Sequence, residues 1–201
     1  MGFFDDVYRS PRYSQAAGDV PAASFAPRSA RLPGRLPWER VLARTGTVCI
    51  AWDSVACWPE HFTAEIVVFS TRPPVDGDEF LPFPGGLSDS GLRLDVTGIR
   101  FAIQFSDGRY ATNLMVPRMA SPHSGTRSSE FPIFTPWGGT GGGGGERWRY
   151  VQRLDLWPLP PPGKTTVILD WIDEGIAETR HELRGDEFKA TGKRSIPIWD
   201  E

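Results

Sequence analysis

The alternation of apolar and polar residues between residues 98 and 172 limits the fold more than any other feature of the chain. Every second residue is apolar in Phe101–Phe105, and the same period governs most of Trp148–Leu156. A period of two is typical of antiparallel sheet with one buried face. The sequence therefore predicts an all-β fold, an antiparallel β-sandwich of about seven or eight strands that is immunoglobulin-like in general build, with a partly open barrel as the alternative.

The first of two expected β-hairpins turns at Asp107-Gly108. Asp-Gly suits a two-residue type I′ turn, whose twist matches that of the strands it joins. A slip of one residue would reverse the facing of every side chain, so the register is a specific prediction. The turn would give three cross-strand pairs, namely Phe105 with Tyr110, Ile103 with Thr112 and Phe101 with Leu114.

Further strands are expected on both sides of this hairpin. Arg147–Leu156 runs into the turn Pro160–Gly163 and then into Thr166–Trp171, which predicts the second hairpin. Ala177–Leu183 alternates weakly and suits an edge strand, and Ile196–Trp199 is a short apolar end expected to dock back on the sheet. The strand Phe62–Thr71 is apolar on both faces around Val67 and Phe69, which predicts cover on both sides there.

The chain is expected to divide into an arm and one domain. Residues 1–44 are rich in Pro, Ala and Arg and read as an irregular, extended arm. The large aromatic residues spaced through this arm predict that it lies on its own domain or on a partner. Residues 45–201 form the predicted β-sandwich domain, which carries long loops at 72–91 and 116–145.

Charge and hydropathy argue against several classes of partner. The net charge is −3, which disfavours binding to nucleic acid. No stretch approaches 18 consecutive apolar residues, so neither a transmembrane helix nor a membrane partner is expected. The N-terminus lacks the basic flank and apolar core of a signal peptide, which predicts a cytoplasmic location or, alternatively, export by a route that leaves no signal.

Two features resemble cofactor sites but lack the required residues. A zinc ion bound by Cys49, Cys57 and His61 would lack a fourth ligand, and the spacing of these residues matches no common zinc site. The glycine tract 138–145 is not followed by the Lys-Ser or Lys-Thr pair of a phosphate-binding loop. We therefore expect no metal and no cofactor, and interpret the tract as a flexible tether or, alternatively, as a mobile docking loop beside Trp137.

Acidic residues and tryptophans suggest two kinds of site. Asp170, Asp173 and Glu174 lie beside Trp171, and two carboxylates at a suitable separation could serve a glycosidase. Acids at the end of a strand are more often a solvated turn, so no catalytic residue is assigned. Exposed tryptophans could stack on sugars, although alternation places at least two of them in the core.

Arginines at alternate positions of one strand indicate a basic stripe, formed by Arg147, Arg149 and Arg153. Such a stripe either protects an edge strand or contacts an anionic or protein partner. The candidate binding residues are accordingly Trp137, Arg147, Arg149, Arg153, Asp170, Trp171, Asp173 and Glu174.

Several segments together resemble a group of uncharacterised proteins from high-GC actinobacteria. They are Arg100–Asn113, the glycine tract, Leu156–Gly163 and Gly175–Arg180. The resemblance implies a bacterial, intracellular protein, and it carries no known activity or catalytic residue.

These patterns favour a non-enzymatic interaction or assembly module that binds an unknown protein partner or itself. The alternative is a domain that binds a small ligand or a carbohydrate. A hydrolase that uses the acids near Trp171 is less favoured.

Overall fold

The computed structural model describes residues 2–9, 30–72, 98–114, 132–144 and 147–199. In chain order its elements are α1 (Phe3–Arg9), β1 (Arg31–Leu32), β2 (Gly34–Leu36), β3 (Arg40–Arg44), β4 (Val48–Cys57), β5 (Phe62–Ser70), β6 (Arg100–Gln104), β7 (Tyr110–Thr112), β8 (Ile133–Gly144), β9 (Arg147–Trp157), β10 (Lys164–Trp171), a 3₁₀ turn (Ile172–Glu174), β11 (Ile176–Arg184), α2 (Gly185–Gly192) and β12 (Ile196–Pro197).

Two antiparallel sheets form the sandwich. The larger sheet has the order β2-β4-β5-β9-β8, with β3 paired to β4 beside β2, and the smaller has the order β11-β10-β6-β7. A separate two-stranded ribbon joins β1 to β12. The prediction of an all-β antiparallel sandwich is therefore confirmed.

The core lies between the two sheets and follows the predicted alternation. Ile50, Ile66 and Leu154 of the larger sheet share one cluster of buried side chains with Phe101 and Val167 of the smaller sheet. Residues at alternate positions of the paired strands enter this cluster because successive side chains point to opposite faces. The remaining side chains of each sheet lie on its outer face, away from the core.

The register predicted for the Asp107-Gly108 hairpin is wrong by one residue. Ile103 pairs with Ala111, whereas Thr112 had been expected. The loop has three residues because the Phe105 N–H donates to the Arg109 carbonyl at 2.7 Å, and Gly108 adopts a positive φ of 84°. This is the geometry of a type I turn followed by a glycine bulge.

The one-residue difference in register determines on which face of the sheet the Tyr110 side chain lies. Tyr110 pairs with Gln104 and lies on the outer face of the smaller sheet. Its ring meets the ring of Phe3 in α1 edge to face, with the centroids 5.4 Å apart. The bulge therefore supplies part of the surface on which the N-terminal helix packs.

The second predicted hairpin is also wrong, because its two strands belong to different sheets. β9 is paired on both sides, by β5 and β8, and β10 is paired by β6 and β11. Neither strand has a free side for the other, so Pro160–Gly163 crosses from one sheet to the next. Each of the two strands instead forms a hairpin with its other neighbour in the chain, β9 with β8 and β10 with β11.

Parts of the predicted arm belong to the sandwich where the structure describes them. β2 and β3 pair with β4, and α1 lies on the smaller sheet. Gly34 permits the close approach of α2, because a Cβ there would lie 2.1 Å from the Thr191 carbonyl oxygen. Residues 10–29 lie outside the described residues, so the arm prediction is corrected only for 2–9 and 30–44.

The structure tests only one of the two predicted long loops. Of the loop at 72–91, residues 73–91 lie outside the described residues. The loop at 116–145 is corrected, since Ile133–Gly144 is strand β8, while 116–131 lies outside the described residues. The edge strand predicted at Ala177–Leu183 is confirmed as β11, and the apolar end of the chain pairs with β1.

Candidate functional site

The structure divides the predicted binding residues between opposite sides of the sandwich. Arg147, Arg149 and Arg153 lie on the outer face of the larger sheet, in β9. Asp170 lies on the outer face of the smaller sheet, while the Trp171 side chain enters the core and is 5% exposed. Trp137 is in β8, and its side chain lies outside the described residues. The predicted set is therefore not one site.

Asp170 forms an ion pair beneath α1. The Arg100 Nε donates to the Asp170 carboxylate at 2.6 Å, and a second nitrogen of Arg100 binds the other oxygen. Burial raises the pKa of Asp170 above its ordinary value, and the hydrogen bond and charge of Arg100 oppose that rise. The Arg100 guanidinium also lies 5.0 Å from the Phe4 ring centre. This acid is thus tied to the packing of the N-terminal helix.

Asp173 and Glu174 have other partners. The Gly98 N–H donates to Asp173 at 3.2 Å. Glu174 lies 3.6 Å from Arg72 in an ion pair. These contacts hold Asp170 and Asp173 to residues 98–100 and Glu174 to Arg72, and Asp170 and Trp171 point to opposite faces of their sheet. The arrangement does not favour the pair of facing carboxylates that glycoside hydrolysis requires.

A row of side chains crosses the outer face of the larger sheet from edge to edge. Paired positions in neighbouring strands bring together Arg44 in β3, Cys49 in β4, Phe69 in β5, Arg149 in β9 and Gly142 in β8. We call these five residues the Phe69 row. Directly paired residues of a sheet point to the same face, so Phe69 stands between the two arginines.

The Phe69 row is apolar at its centre and positively charged on both sides. Phe69 is 44% exposed. Among the described residues, Arg44, Arg147 and Arg149 form no ion pair, whereas Arg153 binds Glu65 at 2.8 Å. Exposed aromatic and arginine side chains are the residue types most enriched in protein interfaces.

The adjacent row is uncharged and extends the apolar surface. Val41, Ala51, Val67, Val151 and Thr140 are paired in sequence across the same five strands. Val41 is 44% exposed and Val67 is 1% exposed. The prediction that β5 is buried on both faces is therefore confirmed at Val67 and wrong at Phe69, whose side chain is exposed.

Sequence reasoning found Arg149 and missed its neighbours Arg44, Val41 and Phe69. The signal for Phe69 was present, since it is an aromatic residue on the second face of a strand whose first face is apolar. Arg44 and Val41 had been assigned to the arm, because β3 is short and carries no sustained alternation. Only the strand pairing brings these residues together.

Residues 138–144 of the glycine tract lie in β8, the last strand of this sheet. A Cβ on Gly139 would lie 1.6 Å from the Tyr150 hydroxyl oxygen, and one on Gly143 would lie 2.8 Å from the Trp148 ring. Aromatic rings of β9 therefore lie across the inner side of β8, where only glycine leaves them room. On the outer side, a Cβ on Gly142 would meet nothing within 4 Å.

The tryptophans give little support for a sugar-binding platform. Trp52, Trp58 and Trp171 are buried, at 1%, 8% and 5% exposed. Trp52 packs edge to face against Trp38, with the centroids 4.8 Å apart. Trp199, at 70% exposed, lies beside the β1-β12 ribbon.

Comparison with known proteins identifies no relative. No protein family matches the chain, and no curated protein or solved structure matches it. Within the described ranges, no group of three His, Cys, Asp or Glu side chains could hold a metal ion. Likewise, none of the helices in those ranges is long and apolar enough to cross a membrane.

Proposed function

We propose that the chain is a non-enzymatic interaction module that binds a protein partner through the outer face of its larger sheet. The observation that carries the proposal is the Phe69 row, in which Phe69 is 44% exposed and lies between Arg44 and Arg149. Neither arginine forms an ion pair with another described residue. An aromatic side chain of this kind can anchor an interface, and arginines around it orient a charged partner.

A second exposed apolar residue on the same face supports the same function. Phe69 and Val41 lie in adjacent rows of the face, with Ala51 and Cys49 partly exposed between them. A contiguous apolar patch with a polar or charged rim is typical of a protein contact surface. The cytoplasmic location and the resemblance to actinobacterial proteins remain predictions that accompany this proposal.

The alternatives receive less support from the described residues. A sugar-binding face would need exposed, coplanar rings, and three tryptophans of the sandwich are buried. A hydrolase near Trp171 would need convergent carboxylates, and Asp170 is instead paired with Arg100. Self-association through the same face is a form of the proposed function, because a second copy can act as the partner.

The proposal is tested by replacing Phe69 with serine in the full chain. Tagged wild-type protein and the Phe69→Ser variant are used for capture from the native host, and each captured protein is quantified. Oligomeric state is measured by sedimentation velocity. We expect the variant to lose at least one captured protein, or the self-association, by about tenfold or more, since an anchor residue carries much of an interface's binding energy.

The matched control is Leu32→Ser, which removes a large apolar side chain that is 57% exposed in the β1-β12 ribbon. This ribbon contacts Trp58, which follows the end of β4 opposite to Cys49. The control should retain every interaction of the wild type. Equal capture and equal oligomeric state for wild type, Phe69→Ser and the control would refute the proposed contact surface.

A further inference from the structure

We propose that the free edge of β8 binds an extended acidic peptide as an added strand. The inference deepens the proposed function and rests on it, because it names the chemistry of a partner at the β8 end of the same sheet. The juxtaposition that carries it is an unpaired strand edge next to Arg147 and Arg149, two cations without ion pairs among the described residues.

Within the described ranges, the outward edge of β8 is open for backbone pairing. β8 is the last strand of the larger sheet and pairs only with β9 among the described strands. An edge strand directs alternate N–H and C=O groups away from its one neighbour, and an extended peptide can pair with them. From Gly139 to Gly144 the strand carries no proline and no charged side chain, which are the usual protection of an edge.

The two arginines define the charge of the added strand. Arg149 pairs directly with Gly142, and Arg147 pairs with Gly144, so both side chains lie on the outer face beside a residue that has no side chain. An added strand would lie two strand spacings, about 10 Å, from β9. A long arginine side chain can extend towards it across the bare glycines.

The spacing of the arginines predicts the pattern of the peptide. Arg147 and Arg149 are two residues apart on one face of β9. The positions of the added strand that face them are also two residues apart, because side chains on one face of a strand recur every second residue. Asp or Glu at alternate positions of the peptide would therefore meet both guanidinium groups.

The same charges argue against a second copy of β8 at this edge. Pairing β8 with its copy would bring the Arg147 and Arg149 side chains of both subunits over the same pair of glycine strands. Like charges opposed across a sheet disfavour pairing. An acidic partner turns this repulsion into attraction, which is why a peptide of opposite charge is the occupant inferred here.

The test uses defined peptides and the full chain. An octapeptide that alternates Glu and Thr, blocked at both ends and labelled, is titrated with the protein at low salt and followed by fluorescence anisotropy. Its counterpart alternates Lys and Thr. We expect the Glu peptide to bind at least about tenfold more tightly than the Lys peptide, and Arg149→Glu to weaken that binding by about tenfold. The control Arg35→Glu makes the same charge change in β2, at the opposite edge of the sheet, and should bind as the wild type does.

A second peptide separates strand addition from simple charge attraction. N-methylation of one central Glu and the adjacent Thr keeps all charges but blocks both backbone edges of the peptide. We expect this peptide to lose binding. We also expect the Glu peptide to slow amide hydrogen exchange in Gly139–Gly144. Equal binding of the methylated peptide, or no binding of the Glu peptide, would overturn the inference.

The outcome can be distinguished from failure of the proposed function. Phe69 lies in β5, two strands from β8, so Phe69→Ser tests the contact face, whereas the methylated peptide tests the backbone edge. If the peptide fails to bind while Phe69→Ser still abolishes partner capture, only the strand-addition inference falls. If Phe69→Ser has no effect on capture while the peptide binds as described, the Phe69 row is not the contact surface, and the β8 edge alone carries the binding of a protein partner.

Discussion

The outer faces of the two sheets are built from the same alternating pattern but have opposite surroundings. The smaller sheet is covered by α1, where Phe4 and Val7 are buried and Phe4 packs with Ala102 and Ile168. The larger sheet buries Val67 on its outer face but leaves Phe69 and Val41 exposed there. An apolar residue on an outer face therefore acquires its role from what covers it and not from the strand that carries it.

The contacts of α1 show how the covered face is held. The Phe3 N–H donates to the Glu178 carboxylate at 2.6 Å, which ties the first turn of the helix to β11. Phe4 lies on the buried side of the helix, above the ion pair of Arg100 and Asp170. The helix is short, and helices of this length depend on tertiary packing for their stability. The covered face is therefore part of the folded core.

The largest expected effect compares one phenylalanine from each face. Phe4→Ala should lower the free energy of unfolding by about 3 kcal/mol, because it empties a buried site between α1 and the smaller sheet. Phe69→Ala should lower it by less than about 1 kcal/mol, since nearly half of that side chain is already in water. Urea denaturation followed by tryptophan fluorescence measures both values.

Equal losses for these two variants would contradict the comparison. A large loss for Phe69→Ala would mean that the outer face of the larger sheet is as important for stability as the covered face. A small loss for Phe4→Ala would mean that α1 contributes little to folding, and that the N-terminal segment is free to act as the arm predicted from the sequence.

The sequence predicted the fold class because alternation is a local property. Phe101, Ile103 and Phe105 do enter the core. Tyr150, Leu154 and Leu156 of the second segment enter it as well. Strand partners are a different matter, since they depend on residues far apart in the chain. The cross-over at Pro160–Gly163 was interpreted as a hairpin because short turns usually join neighbouring strands, and nothing local shows that β9 is already paired on both sides.

The candidate site was predictable only in part, for the same reason. Arg147, Arg149 and Arg153 lie on one strand, so their common face follows from their spacing. Arg44 and Phe69 join them through two further strand pairings that no local pattern reveals. The glycine tract was interpreted as a tether because polyglycine has no intrinsic preference for a strand, and its place in the sheet follows from the rings of Tyr150 and Trp148.

An intermediate effect on the free energy of unfolding is expected in the larger sheet, where the inner and outer sides of β8 can be compared. Gly139→Ala should lower the free energy of unfolding by about 1–3 kcal/mol, because its Cβ would displace the Tyr150 ring. Gly142→Ala should be neutral or slightly stabilising, since its Cβ meets nothing and the unfolded chain loses freedom. Urea denaturation of the two variants under identical conditions measures the difference. If both variants are equally stable, the aromatic rings do not fix the position of the glycine strand.

The smallest effect concerns the two cysteines of β4, which report on the two sides of the larger sheet without altering stability. Cys57 is buried in the core, and burial raises its pKa to about 12, so only about one part in ten thousand is thiolate near pH 8. Cys49 is partly exposed in the Phe69 row. We expect an aromatic disulfide reagent to modify one thiol per folded chain and both thiols in urea, with Cys49→Ser removing the reaction of the folded protein.

A partner bound on the Phe69 row should slow the reaction of Cys49, because it would cover that thiol. Fast modification of both cysteines in the folded protein would show that the core side of β4 opens as readily as its outer side, and the contrast between the two faces would then be lost.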